Sequence, residues 1–475
     1  MGSLAGLLRE LGHEVSGSDV AFDPPMGPAL KSWGIRCVEG FDPEHLSPAP
    51  DLVVIGNVCR RDNPEAAAAR ERGLETTHIA GALQRFALPA TAPLVVAGTH
   101  GKTTTSALCA WLLYSCGREP GFLIGGIPNN FGRSFRKAGR PDDAPDEAEV
   151  PPQSWPRARP FVIEGDEYDT AYFEKTAKFL HYGAEVAIIT SIEHDHIDIY
   201  PTFEAYQDAF RRFVSSIPRR GLVVANAADP VVAQLVGEHA NARISWFALA
   251  DEDTGSVRPD WVAALGDSET TETRFDVVAG GAACGRFAFS LTGRHNVKNA
   301  LAALAATAQG YGTALEDLRQ GLRNFTGVRR RQELLGRPRG VFVYDDFAHH
   351  PTAVRETLLA LRLRHPGRRL LAVFEPRSAT ACRNLHQRDY VHAFAPADEV
   401  LLAPLGRPNL PAAERLDVAE LARQLEQQGK PARACESIDE IIAALVARAT
   451  RGDAIALLSN GAFGGIHKRL LDALA

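Results

Sequence analysis

No CxxC pair occurs among the seven cysteines, which fall at positions 37, 59, 109, 116, 284, 382 and 435. An odd, scattered set of this kind argues against a disulfide framework or a thiolate zinc site, and fits thiols kept reduced in the cytoplasm. No apolar run approaches the ~20 residues that span a bilayer. The apolar stretch at the N-terminus is broken by Arg9, Glu10, His13 and Glu14, so it does not read as a signal peptide. Excess positive charge is also lacking. The net charge is −6, which gives no general drive toward nucleic acid or acidic lipid, and neither is expected as a partner. No internal repeat is visible. These absences leave a cytoplasmic protein whose apolar fraction of 45% and charged fraction of 23% are those of a soluble globular chain.

At 475 residues the chain exceeds one ordinary core, so several domains are expected. Strand-length apolar runs alternate with helical patterns almost throughout, the pattern of α/β layers over mainly parallel sheets. The first segment, 1–88, holds a helix over Leu4–Leu11, a short strand ending near Asp19, and the run 52–55. A Pro- and Ala-containing stretch, 89–93, reads as a linker. The second segment, 89–327, has strands at 94–97, 161–164 and 186–190, with helices after Lys102, Thr202 and His295. Residues 133–160, rich in Pro, Asp, Glu, Ala and Arg without apolar period, read as a mobile surface insertion. The third segment, 328–475, shows strands at 341–344, 370–374, 399–403 and 454–458.

The strongest local signal is Gly98-Thr99-His100-Gly101-Lys102-Thr103-Thr104-Thr105, which follows a strand and opens a helix. Glycines there let backbone N–H groups converge on phosphate oxygens, and the helix N-terminus adds partial positive charge. Lys102 is expected to reach the β/γ-phosphates and Thr103 to hold Mg²⁺. The general phosphate-loop pattern wants Gly where Val96 stands, and a Gly-rich turn before an ordinary helix is the bland alternative. Glu164-Gly165-Asp166-Glu167-Tyr168-Asp169 and Glu193-His194-Asp195-His196-Ile197-Asp198 each follow a strand, so carboxylates and a His gather at one sheet edge, where they suit a metal near the γ-phosphate. A solvated acidic loop and a His–Asp surface pair or cap are the alternatives. Asn296 and Asn299 suit adenine contact or capping of the helix that follows. Arg329-Arg330-Arg331 suits either a solvated face or a transferring phosphoryl group. Two further loops, 344–351 and 459–465, lie at carboxyl ends of strands, where α/β sheets bind ligands.

In this order the motifs resemble the Mur ligase family, three-domain enzymes of peptidoglycan precursor synthesis. That family's phosphate loop has the short Gly-Thr-x-Gly-Lys-Thr form, which accounts for Val96. The resemblance implies an α/β three-domain architecture: a Rossmann-like N-terminal domain, a central P-loop ATPase domain and a Rossmann-like C-terminal domain. It implies ATP and Mg²⁺ as cofactors, with Gly98, Thr99, His100, Gly101, Lys102, Thr103 and Thr104 around the phosphates. Glu164 and His196 would ligate a second Mg²⁺, Asn296 and Asn299 would sit at the adenine, Arg331 on the γ-phosphate and Asp346 on the ribose. Asn130, His349, Arg377, Ser378 and Asn460 are candidates for substrate contact.

Asp345-Asp346-Phe347-Ala348-His349-His350-Pro351-Thr352 is similar to the branch acting on UDP-N-acetylmuramate. Within it, one member adds L-alanine, and another adds the recovered tripeptide L-alanyl-γ-D-glutamyl-meso-diaminopimelate. Residues 165–173, 178–182, Glu375-Pro376-Arg377-Ser378 and 459–467 resemble the tripeptide-adding member, which is therefore expected. There are departures. The family's first strand and much of its N-terminal Gly-rich loop would precede Gly2-Ser3-Leu4-Ala5-Gly6. Ser191 stands where relatives often have Asn, and no Lys lies between Lys178 and Lys298 to serve as the carbamylated Lys some relatives use. A phosphate-loop NTPase acting as a switch, and a non-catalytic sugar-nucleotide binder, are the readings from other classes.

Overall fold

The computed structural model describes residues 1–22, 26–139, 159–266, 272–407 and 409–475. Of the insertion expected at 133–160, residues 140–158 lie outside this set. The fold is built on a ten-stranded sheet and a six-stranded sheet. In the larger one, parallel strands Leu222–Asn226, Val186–Ile189, Thr91–Ala97 and Arg159–Glu164 lie side by side at the centre. Their burial is near complete because both faces are covered by helices, so they read as continuous apolar runs without alternation. The stretch expected to be a linker is partly strand: Thr91, Ala92 and Pro93 open Thr91–Ala97, pairing with Arg159, Pro160 and Phe161.

On one face, helices Lys102–Ser115 and Arg294–Tyr311 pack on the sheet through Leu108, Leu112 and the alanines from Ala300 to Ala306. Small side chains let the second helix come close enough to be almost wholly buried. On the other face, Phe203–Ser216 brings Phe210 and Phe213 against Phe179. Beyond Arg243–Leu249 the sheet continues into Trp261–Leu265, Thr273–Ala279 and Ala282–Phe289, the last two joined antiparallel. The alternating, polar-rich sequence of this extension had not marked it as strand.

The third domain is a six-stranded sheet in the order Glu333–Gly336, Phe342–Asp346, Ala454–Leu458, Leu370–Phe374, Glu399–Leu402, Ala432–Ala434, parallel except for its first strand. In the first domain the strands form two separate parallel pairs, Ser16–Asp19 with Arg36–Glu39 and Val53–Ile55 with Thr76–His78. Helix Gly2–Glu10 packs on the edge strand Phe135–Arg136 of the large sheet. There Glu10 accepts the Lys137 N–H at 3.0 Å, and Gly6 leaves room that Phe135 fills. No helix among the described residues is long and apolar enough to cross a membrane.

His365, at the end of helix Pro351–Arg364, lies 2.9 Å from the Tyr344 hydroxyl. Burial, together with Arg364 and Arg368, brings its pKa down to about 4 from 6.5. Between those values an unfolded chain binds a proton that the folded one refuses, so stability rises with pH across that window. His365→Gln, which keeps an acceptor for Tyr344, is expected to flatten that slope in denaturant unfolding followed at a series of pH values. An unchanged slope would show that His365 does not titrate on unfolding.

Candidate functional site

The centre of the large sheet determines the site. Strand Thr91–Ala97 runs parallel between Arg159–Glu164 and Val186–Ile189, so the loop after it emerges between the ends of both neighbours. Gly98 turns at φ 128°, and a Cβ there would lie 2.2 Å from Thr190 Oγ1. The loop is fastened to the neighbouring strand end: Thr99 N–H donates to Ser191 O at 2.8 Å, and His100 N–H to Ser191 Oγ at 3.1 Å. The Glu193 N–H reaches Thr99 Oγ1 at 2.8 Å. Ser191, where relatives often have Asn, thus anchors the loop. Gly101, at φ 80°, caps helix Lys102–Ser115 and sits against Asn299, whose Oδ1 would be 2.4 Å from a Cβ there. Thr104 is buried in the first helical turn.

Lys102 folds back over the loop. Its Nζ donates to Gly98 O at 2.6 Å and pairs with Glu167 Oε1 at 2.9 Å. Burial presses the Lys102 pKa down, but the Glu167 charge outweighs it and the ammonium is held above its ordinary range. The same burial raises the Glu167 carboxyl against the pull of Lys102 and His196. The other carboxylates of this segment go elsewhere, Asp166 to Lys178 at 2.7 Å and Asp169 to Lys175 at 2.8 Å. Sequence reasoning did not single out Glu167, because three acidic residues in four positions look alike until the fold assigns their partners.

Thr103 is the meeting point. Its hydroxyl donates to Glu164 Oε1 at 2.8 Å and accepts from the Arg331 guanidinium at 3.1 Å. Glu164 Oε2 takes the Gly125 N–H at 2.7 Å. Glycine is needed beside them: a Cβ on Gly125 would come within 2.9 Å of Glu164 Oε2, and one on Gly126 within 2.7 Å of Thr103 Cγ2. A hydroxyl and a carboxylate are hard oxygen donors, so the pair suits a magnesium-like cation. His196, at φ 53°, sets its ring 4.4 Å from that of Tyr168 at a tilt of 54°, close enough to Glu167 for its charge to be felt there.

Arg331 arrives from the third domain on a tight turn. Arg330 and Gln332 have φ of 59° and 50°, left-handed values that cost non-glycine residues of order 1–3 kcal/mol each. Several contacts hold that turn. Asp346 accepts the Gln332 N–H at 2.7 Å and the Ala348 N–H at 2.8 Å, and the Arg330 guanidinium grips Asp345 and the Ser459 and Gly461 carbonyls. Burial raises the Asp346 carboxyl, against the pull of Arg331. Phe347 supports both arginines, with Arg331 5.1 Å from its ring centroid. Asp346, expected at a ribose, is buried and holds the turn that presents Arg331.

The remaining expected residues fall into three groups. Asn296 is buried and donates to Thr292 O at 2.8 Å, and Asn299 donates to Asn296 Oδ1 at 3.3 Å; helix Arg294–Tyr311 has Gly293 at its N-cap and no side-chain cap, so neither Asn caps it. Asn130 is consumed by structure: its amide bonds Asn324 O at 2.8 Å and the Thr326 N–H and hydroxyl at 2.9 Å. His349 faces Asp195 at 4.0 Å across the domain boundary, and its pKa is lowered by burial. Arg377 lies over Gly461, 3.7 Å from Glu375, next to Asn460, whose buried Oδ1 has no partner. Ser378 Oγ accepts the Ala381 N–H at 2.9 Å. Two cross-domain residues were missed: Glu193, which accepts the Thr352 hydroxyl at 2.7 Å, and Gln332, whose amide meets Thr292 Oγ1 at 3.2 Å.

The chain matches the Mur ligase family catalytic domain over residues 1–90, the Mur ligase middle domain over 96–307 and the Mur ligase glutamate ligase domain over 330–461. It is 39% identical to the UDP-N-acetylmuramate–L-alanyl-γ-D-glutamyl-meso-2,6-diaminoheptandioate ligase of Escherichia coli K12, with 100% of this chain and 96% of that protein covered. It is 33% identical to the UDP-N-acetylmuramate–L-alanine ligase of Agrobacterium fabrum, with 97% and 92% covered. Among solved structures, the murein peptide ligase of Psychrobacter arcticus 273-4 superposes with a TM-score of 0.72 at 34% identity, with 100% and 96% covered.

Removing one partner of a buried ion pair strands the other charge, at a cost of about 3–5 kcal/mol, whereas removing both spares that penalty. Glu167→Ala is therefore expected to destabilise the chain more than the double variant Lys102→Ala/Glu167→Ala does, as read by denaturant unfolding. Additive losses would show that the two side chains are not paired in solution.

Proposed function

The chain belongs to the Mur ligase family, and on that footing we propose that it is an ATP-dependent ligase joining UDP-N-acetylmuramate to L-alanyl-γ-D-glutamyl-meso-diaminopimelate. The observation that carries this reading is the convergence on Thr103, where the phosphate loop, the strand-end Glu164 and Arg331 of the third domain share one hydroxyl. An arginine at the phosphates is shared with switch NTPases; what favours a ligase over that class is the full-length match to ligases of this family. The choice of tripeptide over L-alanine rests on the higher identity to the E. coli tripeptide ligase.

In the proposed reaction the lactyl carboxylate attacks the γ-phosphorus of ATP and ADP departs, giving an acyl phosphate. The peptide amine then attacks the acyl carbon, and the tetrahedral adduct collapses to amide and phosphate. Lys102 swings from Glu167 onto the phosphates, and Arg331 meets the charge that develops on the transferring group. Thr103 is the proposed ligand of one Mg²⁺, and Glu164 and His196 of a second; the ions would supply neutralising charge at the phosphates. Asn296 and Asn299 are the proposed adenine side of the pocket, behind Gly101. Neutral His349, at the domain boundary, is suited to take the proton the amine loses. Arg377, Ser378 and Asn460 are proposed to receive the peptide, the unpartnered Asn460 Oδ1 offering an acceptor. Docking of the third domain keeps water from the acyl phosphate.

With ATP, Mg²⁺ and UDP-N-acetylmuramate, tripeptide should yield an adduct of the corresponding mass together with phosphate. Alanine adduct alone would reassign the amine substrate, and no adduct would sink the ligase reading. Lys102→Ala and Arg331→Ala should each lower kcat/KM by roughly 10²–10³-fold while leaving the unfolding transition cooperative.

A further inference from the structure

Arg331 is one point at which the third domain meets the phosphate loop, and a single point leaves a domain free to rotate about it. A second point lies at Glu193. Its backbone is bound to the loop in both directions: the Glu193 N–H donates to Thr99 Oγ1 at 2.8 Å, and that hydroxyl donates to Glu193 O at 2.9 Å. A shift of Thr99 therefore carries Glu193 with it. The side chain reaches the other way. The Thr352 hydroxyl of the third domain donates to Glu193 Oε2 at 2.7 Å, and His100 Nε2 of the loop lies 3.3 Å from the same oxygen.

The third domain presents Thr352 in a fixed setting. Thr352 is the second residue of helix Pro351–Arg364, and its N–H is taken by Nδ1 of the N-cap His350 at 3.4 Å. That bond uses the Nδ1 lone pair and leaves the Thr352 hydroxyl to reach across the boundary. A carboxylate at the start of a helix also meets the favourable end of its dipole, and a hydrogen bond to an ionised acceptor is about twice as strong as a neutral one. Burial works to raise the Glu193 carboxyl, but His100 and the Thr352 hydroxyl outweigh it and bring it down to about 2, so it stays an acceptor through the neutral range.

A cavity of about 370 Å³ borders the contact, lined among others by Ile192, Phe203, Pro351 and His386. The domains are not close-packed there, so a hydrogen bond rather than apolar packing joins them. Other contacts across the boundary, such as Arg364 to Ser290 O at 2.7 Å and Gln332 to Thr292, reach the segment before helix Arg294–Tyr311 and not the phosphate loop.

We propose that Glu193 is a positioning residue that ties the docking of the third domain to the phosphate loop, through the Thr352 hydroxyl. Together with Arg331 at Thr103 it fixes the angle of that domain as well as its place. The closure stands on the contacts alone, whereas its chemical consequence rests on the ligase reading above. A domain held at one point admits water to the acyl phosphate. Water then attacks the acyl carbon, phosphate leaves and the free lactyl carboxylate is regenerated, so ATP is consumed without an amide.

The test compares phosphate released with adduct formed, given ATP, Mg²⁺, UDP-N-acetylmuramate and the tripeptide. Wild type should release one phosphate per adduct. Glu193→Ala and Thr352→Val should each raise that ratio by about threefold or more, the double variant should do no worse than either, and Thr352→Ser should restore it. A merely structural role would lower stability or rate and leave the ratio at one. Small-angle scattering with a non-hydrolysable ATP analogue reads the closure without turnover: Glu193→Ala and Thr352→Val should be more extended than wild type and Thr352→Ser should match it. A ratio of one in both single variants, effects that multiply in the double variant, or scattering equal to wild type would each overturn the proposal. Where Glu193→Ala fails to fold, Thr352→Val, which leaves the central domain untouched, decides alone. If wild type forms no adduct, the ligase reading falls and the scattering still decides for or against Glu193.

Discussion

Everything functional in this chain depends on strand Thr91–Ala97 having parallel neighbours on both sides. A parallel register aligns carboxyl ends, so the loop at Gly98 is born between Glu164 on one side and the Thr190-Ser191 turn on the other. No long-range steering is needed to bring Thr103 to Glu164, since hydrogen-bonded strands place them there. Glycine at 98 follows from the same constraint: the neighbour's end is so close that a side chain at that position would overlap Thr190. Burial of both sheet faces makes this arrangement rigid, and a rigid base lets a single hydroxyl serve as the junction of three segments.

The third domain adds what the sheet cannot. Its contribution is a strained turn, Arg330–Gln332, held by backbone-directed contacts from Asp346 and by the grip of Arg330 on Asp345. The strain is carried next to the one side chain that must be aimed, and the residues holding it come from strand Phe342–Asp346 and the loop that follows its neighbour Ala454–Leu458. Specificity of aim is thus supplied by the domain's interior and delivered at its boundary.

Much of this was legible in the residues. The buried strands were visible as apolar runs, and the phosphate loop as glycines between a strand and a helix. The strand-end acids and Arg331 were visible as residue types in the right order. What stayed illegible was allegiance. Asn130, Asp346 and Glu167 carry the same functional groups whether they face a ligand or a neighbour, and only the fold shows that Asn130 is occupied by Asn324 and Thr326. The extension formed by Trp261–Leu265, Thr273–Ala279 and Ala282–Phe289 was hidden for a different reason: its outer face is solvated, so polar residues interrupt the apolar run. Pro93 misled similarly, because proline at the start of a strand looks like a break.

The Asn130 contacts have a mechanical consequence. With Asn129 N–H on Gly327 O at 2.9 Å and a bridge between Pro128 and Val328, they pin the chain where it passes from the central domain to the third. Arg331 stands three residues past that pin, a leash of at most about 11 Å of extended chain. Any swing of the third domain that keeps the pin can carry its outer edge far from the phosphate loop, yet the arginine cannot stray beyond its leash. Its return requires no diffusive search, and it stays at high effective concentration through every opening and closing.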